Sequence, residues 1–197
     1  MANQDAAFGL RPLKTVGQQD DSTGMGQHFI AAGEASAMFQ GSLVSSPATG
    51  TGYIDIAGLT DVLNVGAFWG CFYDDPTTRK PTFSNYYPGG ITPPQSQDIE
   101  AFVYDSPYQM FEIQSAATGA SAQADIYKCC DLASNGGSTS NGVSSAESAD
   151  TFAAGPAQLK VMGVSRDPEN SDITAANVNW RVMICEHLYG SGTAGAA

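Results

Sequence analysis

The chain has 197 residues, of which 14% are charged, and its 20 acidic and 8 basic side chains give a net charge of -12. An ordinary globular domain carries roughly 25% charged residues, so small polar side chains form much of this surface. The negative field repels phosphate backbones and anionic lipid headgroups, which argues against nucleic acid and membranes as partners.

The length suits one domain with a substantial core. The N-terminal residues Met1–Asp5 show no basic region followed by an apolar stretch, and no segment reaches the roughly 18 apolar residues of a membrane span. We therefore expect synthesis and folding in a cytoplasm. None of the four cysteines belongs to a C-x-x-C pair, so free thiols are predicted at Cys71, Cys129, Cys130 and Cys185.

Residues 1–26 show neither helical nor strand periodicity, which predicts an extended N-terminal arm. Its main bulky apolar side chains are Phe8, Leu10 and Leu13. Ordering such a segment costs about 1 to 2 kcal/mol of backbone entropy per residue, so we expect the arm to become ordered against a neighbouring molecule. The three apolar residues are therefore predicted intermolecular contacts, and a chain that begins at Gln27 should still fold.

From residue 27 onward, short apolar runs alternate with Gly, Pro, Asn and Ser, which is typical of antiparallel β proteins. Residues 27–190 are predicted to form a single β domain, followed by a flexible tail at 191–197. The expected fold class is all-β, an antiparallel β-barrel or sandwich of short strands. The predicted strands are 27–32, 36–46, 52–57, 65–74, 99–104, 109–115, 124–130, 159–166 and 178–189.

Two of these strands have informative side-chain patterns. Alternation in the last strand defines one face as core, formed by Val178, Trp180, Val182 and Ile184. In residues 65–73 neither face is polar, which predicts that this strand is covered on both sides. Gly66 and Gly70 within it predict either bulges or the close approach of another backbone or an aromatic ring.

Two segments are predicted to be long loops. Residues 74–98 carry five prolines and several aromatic rings, so this loop is expected to be stiff. Residues 131–157 are rich in Ser and Gly and are expected to form an exposed excursion. Because amphipathic rings in a stiff loop are typical interface anchors, Phe83, Tyr86 and Tyr87 are predicted contact residues.

The sequence offers little material for catalysis. Histidine is the residue type whose ordinary pKa lies near neutrality, but neither His28 nor His187 belongs to a catalytic or metal-binding motif, and His187 is predicted on the polar face of the last strand. The carboxylate pairs Asp20–Asp21 and Asp74–Asp75 are interpreted as solvated turns rather than Ca²⁺ sites. No catalytic residue, cofactor or metal is therefore predicted, and an enzyme is not expected.

Five short segments, taken in chain order, indicate a protein family more specifically than the composition does. They are Asn3–Pro12 (NQDAAFGLRP), Phe39–Val44 (FQGSLV), Gly66–Tyr73 (GAFWGCFY), Phe111–Gln114 (FEIQ) and Val178–Gly190 (VNWRVMICEHLYG). Together they resemble the head decoration, or cement, proteins of tailed bacteriophages. The resemblance covers most of the chain outside the two predicted loops.

This resemblance implies a β-barrel-like protein that binds the outer surface of an icosahedral capsid. Its partners would be the major capsid protein and other copies of itself, as a homo-oligomer that is a dimer or trimer. It would bridge neighbouring capsomers, stabilise the shell and be assembled in the host cytoplasm. The residues then expected to contact the capsid or another subunit are Phe8, Leu10, Leu13, Phe83, Tyr86 and Tyr87.

Two other functions are compatible with the same sequence. A lectin-like β-sandwich would use exposed aromatic rings and Asp- or Asn-rich loops to hold sugar. Another structural part of a virion, such as a tail or fibre component, would share the β-rich composition. Glycan binding by the purified protein would favour the first, and the location of the protein on particles in electron micrographs would identify the second.

Overall fold

The computed structural model describes residues 3–16, 24–47, 49–116 and 121–190, whose regular secondary structure is almost entirely β-strand. The predicted all-β class is confirmed, and the named strands pair antiparallel throughout the described residues. The strands are β1 (Arg11–Thr15), β2 (Gly26–Ile30), β3 (Leu43–Ser45), β4 (Asp55–Ile56), β5 (Asn64–Asp74), β6 (Pro81–Ser84), β7 (Ile99–Tyr104), β8 (Gln109–Gln114), β9 (Cys129–Cys130), β10 (Leu132–Ser134), β11 (Glu147–Ser148), β12 (Leu159–Val164) and β13 (Asn179–Ile184).

Two main sheets pack together, as in a β-sandwich. The first sheet has the strand order β1-β8-β13-β12-β9, and the second has the order β2-β7-β5-β3-β4. Strand β6 pairs with the C-terminal half of β5, while β10 and β11 form a separate small ribbon. Short 3-10 turns lie at Pro94–Ser96 and Gln123–Asp125.

The core between the two sheets contains side chains from both of them. Leu43 and Ala67 of the second sheet belong to the same buried cluster as Phe111, Leu159 and Trp180 of the first. A second buried cluster covers the opposite face of the second sheet. The second sheet is therefore packed on both of its faces over part of its area.

The predicted core face of the last strand is confirmed. Its four apolar side chains are at most 5% exposed, whereas Arg181 on the other face is exposed. Asn179 is an exception to the alternation because it is buried on the predicted polar face. Its side-chain amide donates to Asp167 Oδ2 at 3.1 Å, which offsets the cost of burial.

The double coverage predicted for residues 65–73 is confirmed for the first part of β5, where Asn64–Phe68 are all buried. Both glycines have the close neighbours that the sequence predicted. A Cβ atom on Gly66 would lie 2.1 Å from the backbone oxygen of Tyr104, and one on Gly70 would lie 2.8 Å from the ring of Phe83. Any larger side chain at Gly66 would force two backbones apart.

The described part of the N-terminal arm belongs to the domain itself, which corrects the interpretation of residues 1–26 as a segment outside the core. Residues of β1 pair with β8, and Leu10 is fully buried in the core between the sheets. The backbone nitrogen of Leu10 donates to Gly41 O at 2.8 Å. Because Leu10 fills a core position, a chain beginning at Gln27 would leave a cavity and an unpaired edge of β8. Residues 17–23 lie outside the described residues.

Four short strands differ from the sequence-based expectation. Strand β1 lies in the predicted arm, β6 in the predicted loop 74–98, and β10 and β11 in the predicted loop 131–157. Strand β6 begins at a proline and pairs only with β5 among the described strands, which is a tolerated place for proline at a sheet edge. Conversely, the predicted strand 36–46 is reduced to β3 with isolated bridges before it. The predicted tail at 191–197 lies outside the described residues.

Replacing Trp180 by alanine should remove a fully buried ring that makes an edge contact with Phe152, with 5.9 Å between ring centroids. We expect the free energy of unfolding to fall by about 3 to 5 kcal/mol, as measured by urea denaturation. Tyr108→Ala is the control, because Tyr108 is 65% exposed and its loss should change stability by about 0.5 kcal/mol or less. Equal stabilities for Trp180→Ala and the parent would show that this ring is not a core element.

The role of the N-terminal segment is tested by comparing Leu10→Ala with Leu13→Ala. Leu10 is fully buried and Leu13 is half-buried. Leu10→Ala should destabilise the isolated subunit by about 2 to 5 kcal/mol, whereas Leu13→Ala should cost about 1 kcal/mol or less. Thermal unfolding of the two variants at equal concentration gives the comparison. A Leu10→Ala subunit as stable as the parent would restore the interpretation of the arm as an external contact.

Candidate functional site: an uncovered sheet face

The candidate site is the part of the second sheet that the first sheet does not cover. Across this part the register aligns Phe29 of β2 with Glu100 of β7, Glu100 with Phe72 of β5, and Phe72 with Phe83 of β6. Directly paired residues of neighbouring strands point to the same side of a sheet. These four side chains therefore form one row across four strands.

Three of the four side chains in this row are phenylalanines, and a fourth phenylalanine lies in the adjacent row. Phe29, Phe72 and Phe83 are 45%, 39% and 62% exposed, which is unusual for side chains held on strands. Phe102 lies in the adjacent row, with its ring centroid 6.0 Å from that of Phe83. We call the surface formed by Phe29, Phe72, Phe83 and Phe102 the phenylalanine face.

The phenylalanine face continues the surface that forms the core. Phe102 and Tyr104 alternate with inward-pointing residues of β7, so they lie on the same side of the sheet. Tyr104 packs against the core between the sheets, and Ala67, its partner on β5, is buried in that core. One side of the second sheet is therefore covered at one end and open at the other.

A β-bulge in β5 decides which residues reach the open end. The pairing of β5 with β7 shifts between Phe68 and Gly70. Without the extra residue, Phe68 and Phe72 would lie on the same face, because they are four positions apart. With it, Phe68 is fully buried in the second cluster while Phe72 faces solvent.

Gly70, which has no side chain, leaves space on the sheet for the ring of Phe83. The ring of Phe83 lies against the backbone at Gly70, where a Cβ atom would be 2.8 Å away. This contact holds Phe83 flat on the sheet although the side chain is largely exposed. The Phe83 ring is therefore packed against the backbone of a neighbouring strand, and Phe29, Phe72 and Phe102 also lie on paired strands.

The polar groups of the phenylalanine face are few and acidic. Glu100 lies between Phe29 and Phe72 and accepts a hydrogen bond from the side-chain amide of Gln27. A depression of about 210 Å³ beside them is also lined by Pro93 and Asp98. Its walls combine apolar rings with carboxylates, a composition that suits an apolar group flanked by a cation.

The residues predicted from the stiff loop occupy three different environments. Phe83 lies on the phenylalanine face, as described above. Tyr86 is half-buried and stacks on Phe39, with ring centroids 5.9 Å apart. Tyr87 is fully buried, and its hydroxyl donates to Glu34 O at 2.6 Å. The interpretation of Tyr87 as a surface contact is therefore corrected: it is a core residue of the subunit.

The residues predicted from the N-terminal arm are also separated. Leu10 is buried in the core and is not available to a partner, which corrects its assignment as a contact. Leu13 is half-buried on β1. Phe8 is half-buried beneath the guanidinium group of Arg11, which lies 4.0 Å from the ring centroid. Phe8 and Leu13 thus retain surface that another molecule could contact.

The sequence analysis does not single out Phe29, Phe72 and Phe102, which the structure places on the phenylalanine face. Phe72 belongs to the strand that the sequence predicts to be covered on both sides, and Phe102 belongs to the predicted strand 99–104. One signal was present in β7, where Ile99, Ala101 and Val103 alternate with Glu100, Phe102 and Tyr104. A glutamate in the second set indicates that this set faces outward at the Glu100 end.

The two histidines lie near each other in the folded chain. His28 Nε2 is 2.9 Å from Asp105 Oδ2, and the ring of Tyr189 has its centroid 6.5 Å from that of His28 and 5.5 Å from that of His187. His187 is 1% exposed, which corrects its predicted place on a polar face, because β13 ends at Ile184 and the chain then turns inward. Burial lowers the pKa of His187 to about 4, so the ring is neutral at pH 7.

The carboxylate pair Asp74–Asp75 lies where β5 ends and a tight turn begins. Asp75 accepts hydrogen bonds from the backbone nitrogens of Thr77 and Thr78 at 2.9 and 2.6 Å, and these bonds lower its pKa.

Within the four described stretches, no three His, Cys, Asp or Glu side chains are arranged to hold a metal ion. The described chain also contains no helix that is long and apolar enough to cross a membrane. The pair Asp20–Asp21 lies outside the described residues.

Comparison of the chain with protein families, with curated proteins and with solved structures finds no significant match.

The buried state of His187 predicts a specific pH dependence. Its pKa of about 4 in the folded chain lies below the value of about 6.5 expected after unfolding, so between these values the unfolded chain binds the proton more tightly. This site should therefore lower the free energy of unfolding by up to about 3 kcal/mol as the pH falls from 6.5 to 4. His187→Asn, whose Oδ1 can accept from the Tyr189 amide in place of Nδ1, should lose this dependence.

Urea denaturation at pH 7 and pH 4.5 gives the loss of unfolding free energy for the parent and for His187→Asn. The difference between the two losses is the contribution of His187, because the carboxylates are the same in both proteins. Tyr108→Ala, which changes an exposed side chain that does not titrate in this range, is the control and should retain the parent's loss of stability. Equal losses for the parent and His187→Asn would show that His187 is protonated in the folded protein as readily as in the unfolded chain.

Proposed function

We propose that this protein is a structural decoration protein that binds the outer surface of a phage head. It contacts the major capsid protein through the phenylalanine face, bridges neighbouring capsomers and stabilises the shell. The observation that carries the proposal is the phenylalanine face itself, a row of exposed rings on rigid strands. The role is structural rather than catalytic.

The physical case rests on the cost of leaving these rings in water. Burying one phenylalanine side chain contributes roughly 1.5 to 3 kcal/mol, and three rings on this face are 39% or more exposed. Contiguous exposed apolar surface rimmed by polar groups is typical of protein interaction sites. Because the rings are fixed by the sheet, little conformational entropy is lost when a partner covers them.

The choice of a capsid as the partner rests on the sequence resemblance and on the charge of the chain. Segments that resemble phage head decoration proteins include residues 66–73, which contain Phe72 of the phenylalanine face. The chain's net charge of -12 would keep decorated particles apart in solution. Assembly in the host cytoplasm follows from the same interpretation.

Contacts between copies of the chain are assigned to a different part of the surface. Phe8, Leu13 and Tyr86 are half-buried and lie outside the row of paired phenylalanines. We propose that they contribute to a dimer or trimer on the capsid. This arrangement would leave the phenylalanine face free to contact the shell.

The proposal is tested by adding the recombinant protein to purified phage heads that lack it, then imaging the heads by cryo-electron microscopy. We expect additional density on the outside of the icosahedral shell. The double variant Phe72→Ser/Phe83→Ser should bind at least about 100-fold more weakly, because two exposed rings are lost from the contact. Bound protein is quantified after sedimentation of the heads.

The control is Tyr127→Ser, which removes a side chain that is 69% exposed and lies in another part of the fold. This variant should bind like the parent, and both variants should melt within a few degrees of it. Equal binding by the double variant would reject the phenylalanine face as the contact. Density on the tail or fibres would identify a different virion component, and glycan binding without head binding would favour the lectin-like alternative.

A further inference from the structure

Two cysteines that are distant in sequence meet at the end of the first sheet. Cys129 begins β9, and Cys185 follows β13, with β12 between the two strands. Their sulfur atoms are 3.8 Å apart. Cys185 is exposed, whereas Cys129 is 6% exposed beneath it. The pair therefore has one sulfur that a reagent in solution can reach and one held close behind it.

The other two cysteines have a different environment. Cys71 and Cys130 are at most 1% exposed, and burial raises the pKa of each thiol to about 12. Cys130 follows Cys129 directly, but its side chain points to the opposite side of the strand, into the core between the sheets. A thiol that is both inaccessible and protonated does not react with disulfides.

We propose that Cys129 and Cys185 form an oxidation site, at which a low-molecular-weight disulfide such as oxidised glutathione converts the two thiols into an intramolecular disulfide. All four cysteines are thiols in the structure, so this bond would form after folding. The inference does not depend on the proposed function.

The reaction balances in two exchange steps. In the first, Cys185 loses its proton to solvent and its thiolate attacks one sulfur of oxidised glutathione, which breaks that S–S bond and releases one glutathione thiolate. In the second, Cys129 loses its proton and attacks Cys185 Sγ in the mixed disulfide, which expels the second glutathione thiolate. The two thiolates take up the two protons, so the protein is oxidised by two electrons and one glutathione disulfide is reduced to two thiols.

The position of Cys129 favours closure of the intramolecular disulfide over persistence of the mixed disulfide with glutathione. The two sulfur atoms are already 3.8 Å apart and need to approach by about 1.8 Å to reach the bonding distance of a disulfide. Burial and the neighbouring Cys185 raise the pKa of the Cys129 thiol, and the positive charge of Lys160, its partner across β12 and β9, offsets part of that rise. A lysine beside the forming thiolate stabilises it.

The product would connect the short strand β9 to the end of β13. The cysteines are 56 positions apart, and cross-links that close long loops restrict the unfolded chain most strongly. Strand β9 is only two residues long, so its place in the first sheet depends on few backbone hydrogen bonds. Oxidation should therefore raise the melting temperature by roughly 5 to 10 °C.

The experiment treats the full-length protein with oxidised glutathione at pH 8, stops the reaction with acid and alkylates the remaining thiols under denaturing conditions. Intact mass spectrometry should show the loss of two hydrogens and alkylation at only two cysteines. Peptide mapping should join Cys129 to Cys185. The melting temperature should rise and should return to its original value after treatment with dithiothreitol.

Three variants separate the steps. Cys129→Ser should stop at a single glutathione adduct on Cys185, Cys185→Ser should give no cross-link, and Cys71→Ala should behave like the parent. A parent protein that accumulates the glutathione adduct without closing, that remains fully reduced, or that links Cys71 or Cys130 instead would overturn the proposal. These outcomes leave binding to phage heads unaffected, so the two proposals fail separately.

Discussion

The arrangement of the domain depends on a mismatch of length between β5 and the sheet that packs against it. Strand β5 has 11 residues, or about 36 Å, whereas the longest described strands of the first sheet have six, or about 20 Å. The first sheet can cover only part of β5, so Ala67 is buried in the core while Phe72 is exposed. The phenylalanine face is the uncovered remainder of a core-forming surface.

The N-terminal segment holds the two sheets in this offset arrangement. Residues 8–10 cross the turn at Gly41, where positive φ angles at Gly9 (72°) and Gly41 (91°) allow the backbones to approach closely. Gly41 N in turn donates to Phe68 O in β5. The chain then enters β1 and pairs with β8. One continuous run of backbone contacts therefore links β5 to the edge of the first sheet.

These backbone contacts hold the second sheet in place, and a sheet held in place suits the proposed interaction role. The phenylalanine face is presented by paired strands, and the ring of Phe83 is held against Gly70. The histidine that the chain buries, His187, is enclosed and neutral, and its Nδ1 accepts from the backbone of Tyr189 at 3.1 Å. The phenylalanine face and the buried imidazole are thus separate: the rings of that face point to solvent, while His187 fixes the segment after β13.

The sequence by itself determined the all-β class, the positions of the long strands and the core face of β13, because these depend on local alternation and on Gly and Pro punctuation. It also predicted close neighbours at Gly66 and Gly70. Only the tertiary structure decided that Leu10 and Tyr87 are interior and that Phe72 is not. The bulge after Phe68 reverses the alternation, and the first sheet ends before β5 does. Neither constraint is local, so no pattern within one segment could reveal which apolar residues the folded chain leaves in water.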